Sequence, residues 1–270
     1  MVDYIKAVAK NTGLYGSHSS LLFESSFDIQ TGEISNFKVA NYKGLNIRVY
    51  ESGFLIVKGS LHKFWNSGSH NADDFHFEHL LEAIENLSIV LGLPVSSMEL
   101  QNLEVGYNLS VADSKAAVDG FFLHNAVVPE ARFNGHYKEF RHSDYSIKIY
   151  SKSYQYDLKE EVLRCEIKMV KSRYFNRFGV YTVEDLCDRD NLSLIKDDLL
   201  KQLGKTIACY PLPVSQISSD IWSNPYYWAE LDKRKRYSEK KLFEDWKGTQ
   251  LTKWTPLDRL IDEKFQDLTS

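Results

Sequence analysis

Along the N-terminal part of the chain, apolar and polar positions alternate with a period near two, interrupted by turn residues. Leu21 to Asp28 and Glu33 to Tyr42 read as strands joined through Thr31-Gly32, and Leu45 to Tyr50 pairs with Phe54 to His62 across Glu51-Ser52-Gly53. The period then changes. Phe77, Leu80, Leu81, Ile84, Leu87 and Leu91 recur at helical spacing, behind an N-cap offered by Asp73-Asp74 and ahead of Gly92 and Pro94. Met98 to Leu109 returns to strand. Ser114 to His124 predicts a second short helix, after which Ala131 to Phe140, Tyr145 to Lys152 and Val162 to Val170 alternate as three further strands.

Beyond Arg173 the pattern is helical. Thr182 to Asp188, Leu192 to Tyr210, Asn224 to Arg236, Glu239 to Lys247 and Pro256 to Leu268 fit helices, with Pro211 and Pro213 as punctuation. The order implies an α+β protein. One antiparallel sheet, or two related ones from a loose duplication, carries flanking helices and a helical C-terminal part. The expected organisation is a β-rich domain over residues 1–180 and a helical region over 181–270.

Composition narrows the function classes. With 270 residues, 43% of them hydrophobic, the chain fills a sizeable core. Val2-Asp3-Tyr4-Ile5-Lys6 leads into a polar Gly/Ser stretch rather than an apolar leader, and no apolar run approaches the roughly 18 residues of a membrane span, so a cytoplasmic protein without membrane partners is expected. Cys165, Cys187 and Cys209 are odd in number and far apart, which argues against a disulfide framework or a cysteine zinc site. A net charge of -4 argues against indiscriminate coating of nucleic acid. Positive charge is nonetheless local: Tyr145 to Arg177 holds eight Lys/Arg against four Asp/Glu, and Leu231 to Lys247 seven against four.

The densest candidate for chemistry is Tyr145-Ser146-Ile147-Lys148-Ile149-Tyr150-Ser151-Lys152-Ser153-Tyr154-Gln155-Tyr156. As a strand it sets Lys148, Tyr150 and Lys152 on one face and Ile147 and Ile149 on the other. A phenol with an ordinary pKa near ~10 is a poor nucleophile at neutral pH, and adjacent cations both favour the phenolate and hold a phosphate. An edge strand with a solvated face gives the same spacing. In Val162 to Lys168, Arg164, Glu166 and Lys168 share a face, which suits a metal or phosphate site or, more simply, a cross-strand ion-pair ladder. Asn102 to Asn108 sets Glu104 on a polar face of the oxygen-ligand kind that Mg²⁺ takes. His76 and His79 lie at i and i+3 near His70, where a metal set competes with helix capping by Asp73.

Four stretches, Gly59-Ser60-Leu61-His62-Lys63-Phe64 at the end of an early strand, Leu103-Glu104-Val105-Gly106-Tyr107-Asn108, Ile149-Tyr150-Ser151-Lys152 and Leu163-Arg164-Cys165-Glu166-Ile167-Lys168, resemble in kind and order the filamentous-phage replication initiators and the related plasmid rolling-circle initiators. The last runs on through Arg173-Tyr174-Phe175-Asn176-Arg177-Phe178-Gly179, which is similar to the family's continuation. The resemblance spans roughly Val57 to Val180. It implies a site-specific DNA nicking and joining endonuclease that initiates rolling-circle replication of a phage or plasmid through a covalent phosphotyrosine.

By that resemblance Tyr150 is the nucleophile, followed after one residue by Lys152, and Tyr154 is the reserve nucleophile about ~13 Å along the same strand face. Glu104, Glu166 and His62 would hold a divalent metal, Mg or Mn, with His62 standing where the wider class often has a His-apolar-His pair. Lys148, Arg164, Lys168 and Lys233-Arg234-Lys235-Arg236 are the expected DNA contacts. The partners implied are single-stranded or supercoiled origin DNA, with a host helicase or polymerase as a further class. The alternatives are a non-catalytic nucleic-acid-binding protein, with Trp222, Trp228 and Trp246 as contacts or as helix packing, and a phage or mobile-element interaction protein without enzymatic activity.

Overall fold

The computed structural model describes residues 1–10, 12, 21–27, 30–217, 220–250 and 256–270. The polar stretch from Gly13 to Ser20 and the Asp28 end of the first expected strand lie outside them. The fold is α+β with antiparallel strand pairing and a helical C-terminal part, as the pattern of periods implies. Among the described residues no helix is long and apolar enough to cross a membrane.

Two compact units are present, and the chain passes between them more than once. The first comprises Met1–Val105, Met169–Ile195 and Leu268–Ser270; the second comprises Gly106–Lys168 and Lys196–Asp267. In the first, β1 (Val2–Ala9), β2 (Glu24–Phe27), β3 (Ile34–Tyr42), β4 (Leu45–Tyr50), β5 (Leu55–Ser60) and the start of β6 (Glu99–Ser110) lie in the order β2-β3-β4-β5-β1-β6. Strand β1 is absent from the sequence reading yet sits centrally, paired with β5 and β6. Asp3 and Lys6 break its apolar run. Asp3 is buried because Ser60 Oγ donates to Oδ1 and Asn71 Nδ2 donates to Oδ2 at 2.7 Å, so its charge is met inside the unit.

Strand β5 stops at Ser60, earlier than expected. Ser60 Oγ accepts the Lys63 backbone N–H at 3.0 Å and thereby caps α1 (Leu61–Trp65). The expected strand over Phe54 to His62 is corrected accordingly: His62 is helical, buried, stacked on Phe75, and bonded to Asp73 at 2.7 Å. Asp73 also accepts from Asn66 at 2.8 Å and is not the cap of α2 (Phe77–Leu91), whose N-cap is His76. The apolar stripe of α2 is buried as its spacing requires, save Leu81, and the helix ends on Gly92 in the left-handed region at φ 63°.

The second unit takes the rest of β6 and adds α3 (Ser114–Asp119), β7 (Phe121–His124), β8 (Glu130–Arg132), β9 (Tyr137–Arg141), β10 (Tyr145–Ser151), α4 (Lys152–Tyr156) and β11 (Val162–Met169), with strand order β6-β11-β10-β9-β8. Helix α5 (Ser172–Phe175) follows in the first unit, and α6 (Arg189–Leu203) carries the chain back. Then come β12 (Thr206–Ala208), α7 (Pro225–Glu230), α8 (Lys233–Gln250) and α9 (Leu257–Thr269).

Two expected helices are shorter than their patterns. The Ser114–His124 helix stops at Gly120, and Phe121 to His124 forms β7, all four residues buried; the Leu192–Tyr210 helix stops before Gly204, and Thr206 to Ala208 forms β12 beside β7. A short apolar run suits a buried strand and a buried helix alike, and here pairing decided. Asn224, with Pro225 behind it, caps α7, so the expected Asn224–Arg236 helix divides at Leu231-Asp232. Helices α7 and α8 pack on the small sheet through Trp228 and Phe243, with Trp222 and Trp246 beside them. Trp228 is fully buried, its Nε1 donating to the Trp222 carbonyl at 2.8 Å, and Trp222 and Trp246 pack partly buried against it.

Buried His124 on β7 has its Nδ1 2.7 Å from His142 Nε2. Burial, then His142, then Lys205 and Lys240 push its pKa down to about 3. A histidine depressed on folding takes up protons preferentially in the unfolded chain, so stability is complete above the ordinary pKa near ~6.5 and is lost as pH falls from there towards 3. The melting temperature should therefore drop between neutral pH and pH ~5. His124→Phe should flatten that slope in a pH series of thermal melts; an unchanged slope would mean that other groups set it.

Candidate functional site

The site is built on one face of the second unit's sheet. In β10 and β9, Lys148 lies opposite Glu139 and Tyr150 opposite Tyr137, so period two sets Ser146, Lys148 and Tyr150 together with Tyr137, Glu139 and Arg141. The other face takes Ile147, Ile149 and Phe140, all buried. On β11 the same alternation separates Arg164, Glu166 and Lys168 from Leu163, Cys165 and Ile167.

Glu166 is the centre. It is 1% exposed, and its Oε1 accepts from Lys148 Nζ at 2.7 Å while Oε2 accepts from Arg164 Nε at 2.9 Å and from the Tyr150 hydroxyl at 3.2 Å. Arg164, equally buried, donates through a second nitrogen to Asn108 Oδ1 on β6 at 3.0 Å. Strand β6 approaches closely because residue 106 is glycine: a Cβ there would lie 2.8 Å from both the Cys165 carbonyl oxygen and Glu166 Cβ. Tyr150 is half-buried, its ring 5.6 Å from that of Tyr137 and 5.6 Å from Lys152 Nζ.

Next to it stands a second carboxylate. Glu139 accepts from Ser146 at 2.8 Å, Arg141 at 2.9 Å and the Tyr137 hydroxyl at 3.1 Å. Burial raises its pKa, but these bonds outweigh burial and hold it below the usual range. The Tyr137 phenol is pushed up by burial and by Glu139 and stays protonated. Tyr137, Glu139 and Arg141 escaped the sequence reading, although Tyr137-Lys138-Glu139-Phe140-Arg141 alternates plainly enough to have shown them.

Other expected residues stand elsewhere. Ser151 Oγ accepts the Tyr154 N–H at 3.0 Å and caps α4, so β10 ends before Lys152. Lys152 and Tyr154 are therefore helical, which corrects the continuous strand face: Lys152 is buried beneath the rings of Tyr150 and Tyr156, and Tyr154, 51% exposed, stacks on His136 at 3.9 Å. Arg164 is interior and shapes Glu166 instead of meeting solvent. Arg236 is likewise engaged, donating to the carbonyls of Trp228, Ala229 and Leu231 at 2.5–3.1 Å, whereas Lys233, Arg234 and Lys235 are exposed on the first turn of α8. Lys168 is half-buried on β11.

Glu104 and His62 belong to the first unit, Glu104 buried on the N-terminal half of β6 and His62 on α1. Among the described residues no group of three or more His, Cys, Asp or Glu side chains is placed to hold a metal ion. Glu166 does not fit a divalent cation as it stands, since both oxygens already accept from positive groups that an incoming metal would have to displace. No protein-family model matches the chain, and no curated protein matches it.

Removing the Glu166 charge leaves Lys148 and Arg164 without their counter-ion in a buried setting. Glu166→Gln should destabilise the protein by about 3–5 kcal/mol in urea unfolding, the typical cost of breaking one partner out of a buried ion pair. A loss under ~1 kcal/mol would show that the pair is screened like a surface one.

Proposed function

We propose that the chain is a site-specific DNA nicking and joining protein that initiates rolling-circle replication, with Tyr150 as its nucleophile. What carries this is the half-buried Tyr150 hydroxyl bonded to Glu166, with Lys148 on the other carboxylate oxygen and Lys152 over the ring. The ordered resemblance to replication initiators supports DNA as the substrate. In the step, Tyr150 Oη attacks the scissile phosphorus, the Oη–P bond forms and the P–O3′ bond breaks. The phenolic proton passes along its hydrogen bond to Glu166, and the leaving 3′-oxygen is protonated to a hydroxyl that primes synthesis. Joining is the reverse attack. Lys148 is the cation nearest solvent in the cluster and offsets phosphate charge as it builds.

One observation favours the rival, a non-catalytic nucleic-acid-binding protein. A carboxylate neutralised by Lys148 and Arg164 is a weak proton acceptor, and the same face would then serve only as a polar docking surface.

The two separate on one variant. Tyr150→Phe keeps the ring, loses one hydrogen bond worth about 0.5–1.5 kcal/mol, and should abolish a denaturant-stable protein–DNA adduct while strand binding stays within about twofold. Labelled single-stranded or supercoiled origin DNA, with Mg²⁺ or Mn²⁺ supplied, reads both. Adduct persisting in Tyr150→Phe and vanishing in Tyr154→Phe would move the nucleophile. Absence of adduct from the parent protein under every condition would leave the binding reading.

A further inference from the structure

Elsewhere in the second unit a cavity of about 420 Å³ opens beside β7, β12 and the first turns of α8. Its floor is apolar, from Leu123 and Ile207, and its walls carry Lys205, Lys233, Arg236 and Lys240 with the ring of Tyr237. None of the described lining residues is Asp or Glu. Among the carboxylates of α8 and its cap, Asp232 accepts the Lys235 N–H, Glu239 the Trp222 indole, and Glu244 pairs with Lys247 at 2.6 Å.

The cations are held chiefly by uncharged acceptors, with Glu244 partly offsetting the charge of Lys240. Lys205 Nζ donates to the Gln202 amide oxygen at 3.0 Å, Lys240 Nζ to the carbonyls of Gly204 and Thr206 at 3.1 and 3.4 Å, and Arg236 to three backbone carbonyls. Carbonyl and amide oxygens fix position but carry no net charge, so the positive field over the cavity persists. Neighbouring groups register it. After burial and His142, Lys205 and Lys240 are what depress His124, and after burial Lys205 depresses His142. Lys240, part-buried, has its own ammonium pushed below the usual value, chiefly by desolvation. Tyr237 leaves a large ring 76% exposed at the rim.

Preorganised cations around an apolar floor, with an aromatic face at the edge, match an anion joined to a planar group. The volume falls in the range of small-ligand sites, roughly 300–1,000 Å³, which admits one nucleotide and not a double helix. Cationic grooves with aromatic rings are how single strands are held without sequence preference. We infer that this cavity seats one nucleotide unit of a single-stranded nucleic acid, its phosphate on Lys205, Lys233 and Lys240 and its base against Tyr237. Arg236 is a positioning residue, since its guanidinium secures the end of α7. The inference is independent of chemistry at Tyr150, because its readout is strand binding and not adduct formation.

The test uses the full chain and the fluorescence anisotropy of a short labelled oligothymidylate across a salt series. Lys205→Ala/Lys233→Ala should make the slope of log affinity against log salt shallower by roughly 0.7, the value for the loss of one phosphate contact, while the exposed pair Lys10→Ala/Lys159→Ala leaves it unchanged. Tyr237→Ala should weaken binding by about fivefold or more and Tyr237→Phe by less than about twofold. Lys205→Gln/Lys233→Gln repeats the slope test if the alanine pair lowers the melting temperature. An unchanged slope in the cavity variants, or an equal loss in the control pair, overturns the inference. Thymidine monophosphate bound as tightly as the oligomer overturns the strand in favour of a free nucleotide, and equal binding of duplex through the same residues overturns single-strand selection.

Discussion

A buried carboxylate that must be compensated is the constraint on which the second unit's sheet depends. Glu166 is inside the protein with Lys148 and Arg164 as counter-charges, and each of these needs a defined place: Arg164 reaches Asn108 on β6, and Lys148 crosses from β10. Three strands are thereby tied into one register by charge as well as by backbone bonds. Gly106 permits it, since any side chain there would drive β6 away from Glu166. Desolvated charge is tolerated only when fully paired, so the cluster leaves little latitude in any member. Tyr150 inherits its position from this arrangement, as a hydroxyl delivered to an oxygen that the two cations have already oriented.

Each unit also uses a serine to stop a strand. Ser60 ends β5 and Ser151 ends β10, and each accepts the backbone N–H three residues on to begin a one-turn helix. The consequence reaches function. His62 is turned to Asp73, Lys152 is folded beneath two tyrosine rings, and Tyr154 is carried off the strand to stack on His136. In the second unit the Ser151 hydroxyl thus decides whether Lys152 and Tyr154 share a face with Tyr150 or leave it.

Cations that look alike in the chain have divergent fates. Arg164 and Arg236 are interior braces, one to a carboxylate and the other to carbonyls, while Lys205 and Lys233 stay exposed around a cavity. The difference lies in the acceptor. Arg164 shares its charge with Glu166, whereas carbonyl and amide acceptors position a cation and leave its field intact. A net charge of -4 therefore coexists with a concentrated positive site.

Much of this was legible from residue order alone. The α+β class, the strands around Tyr150 and Arg164, the apolar stripe of α2 and the packing role of the tryptophans follow from period and residue type, because those express which side of an element is buried. Period two also set Lys148 with Tyr150 on one strand and Arg164 with Glu166 on another, while the pairing of β10 with β11 is what brought the two faces together. Tertiary structure alone decided the rest. Central β1 depends on Ser60 and Asn71, distant in sequence, to accept the burial of Asp3. The β7–β12 pairing overrode helical patterns that were locally as good. The cavity at Lys205 and Lys240 required two elements to meet. Local sequence expresses propensity and facing; partners brought together by loop closure are chosen by long-range packing and charge compensation, which no window of neighbouring residues contains.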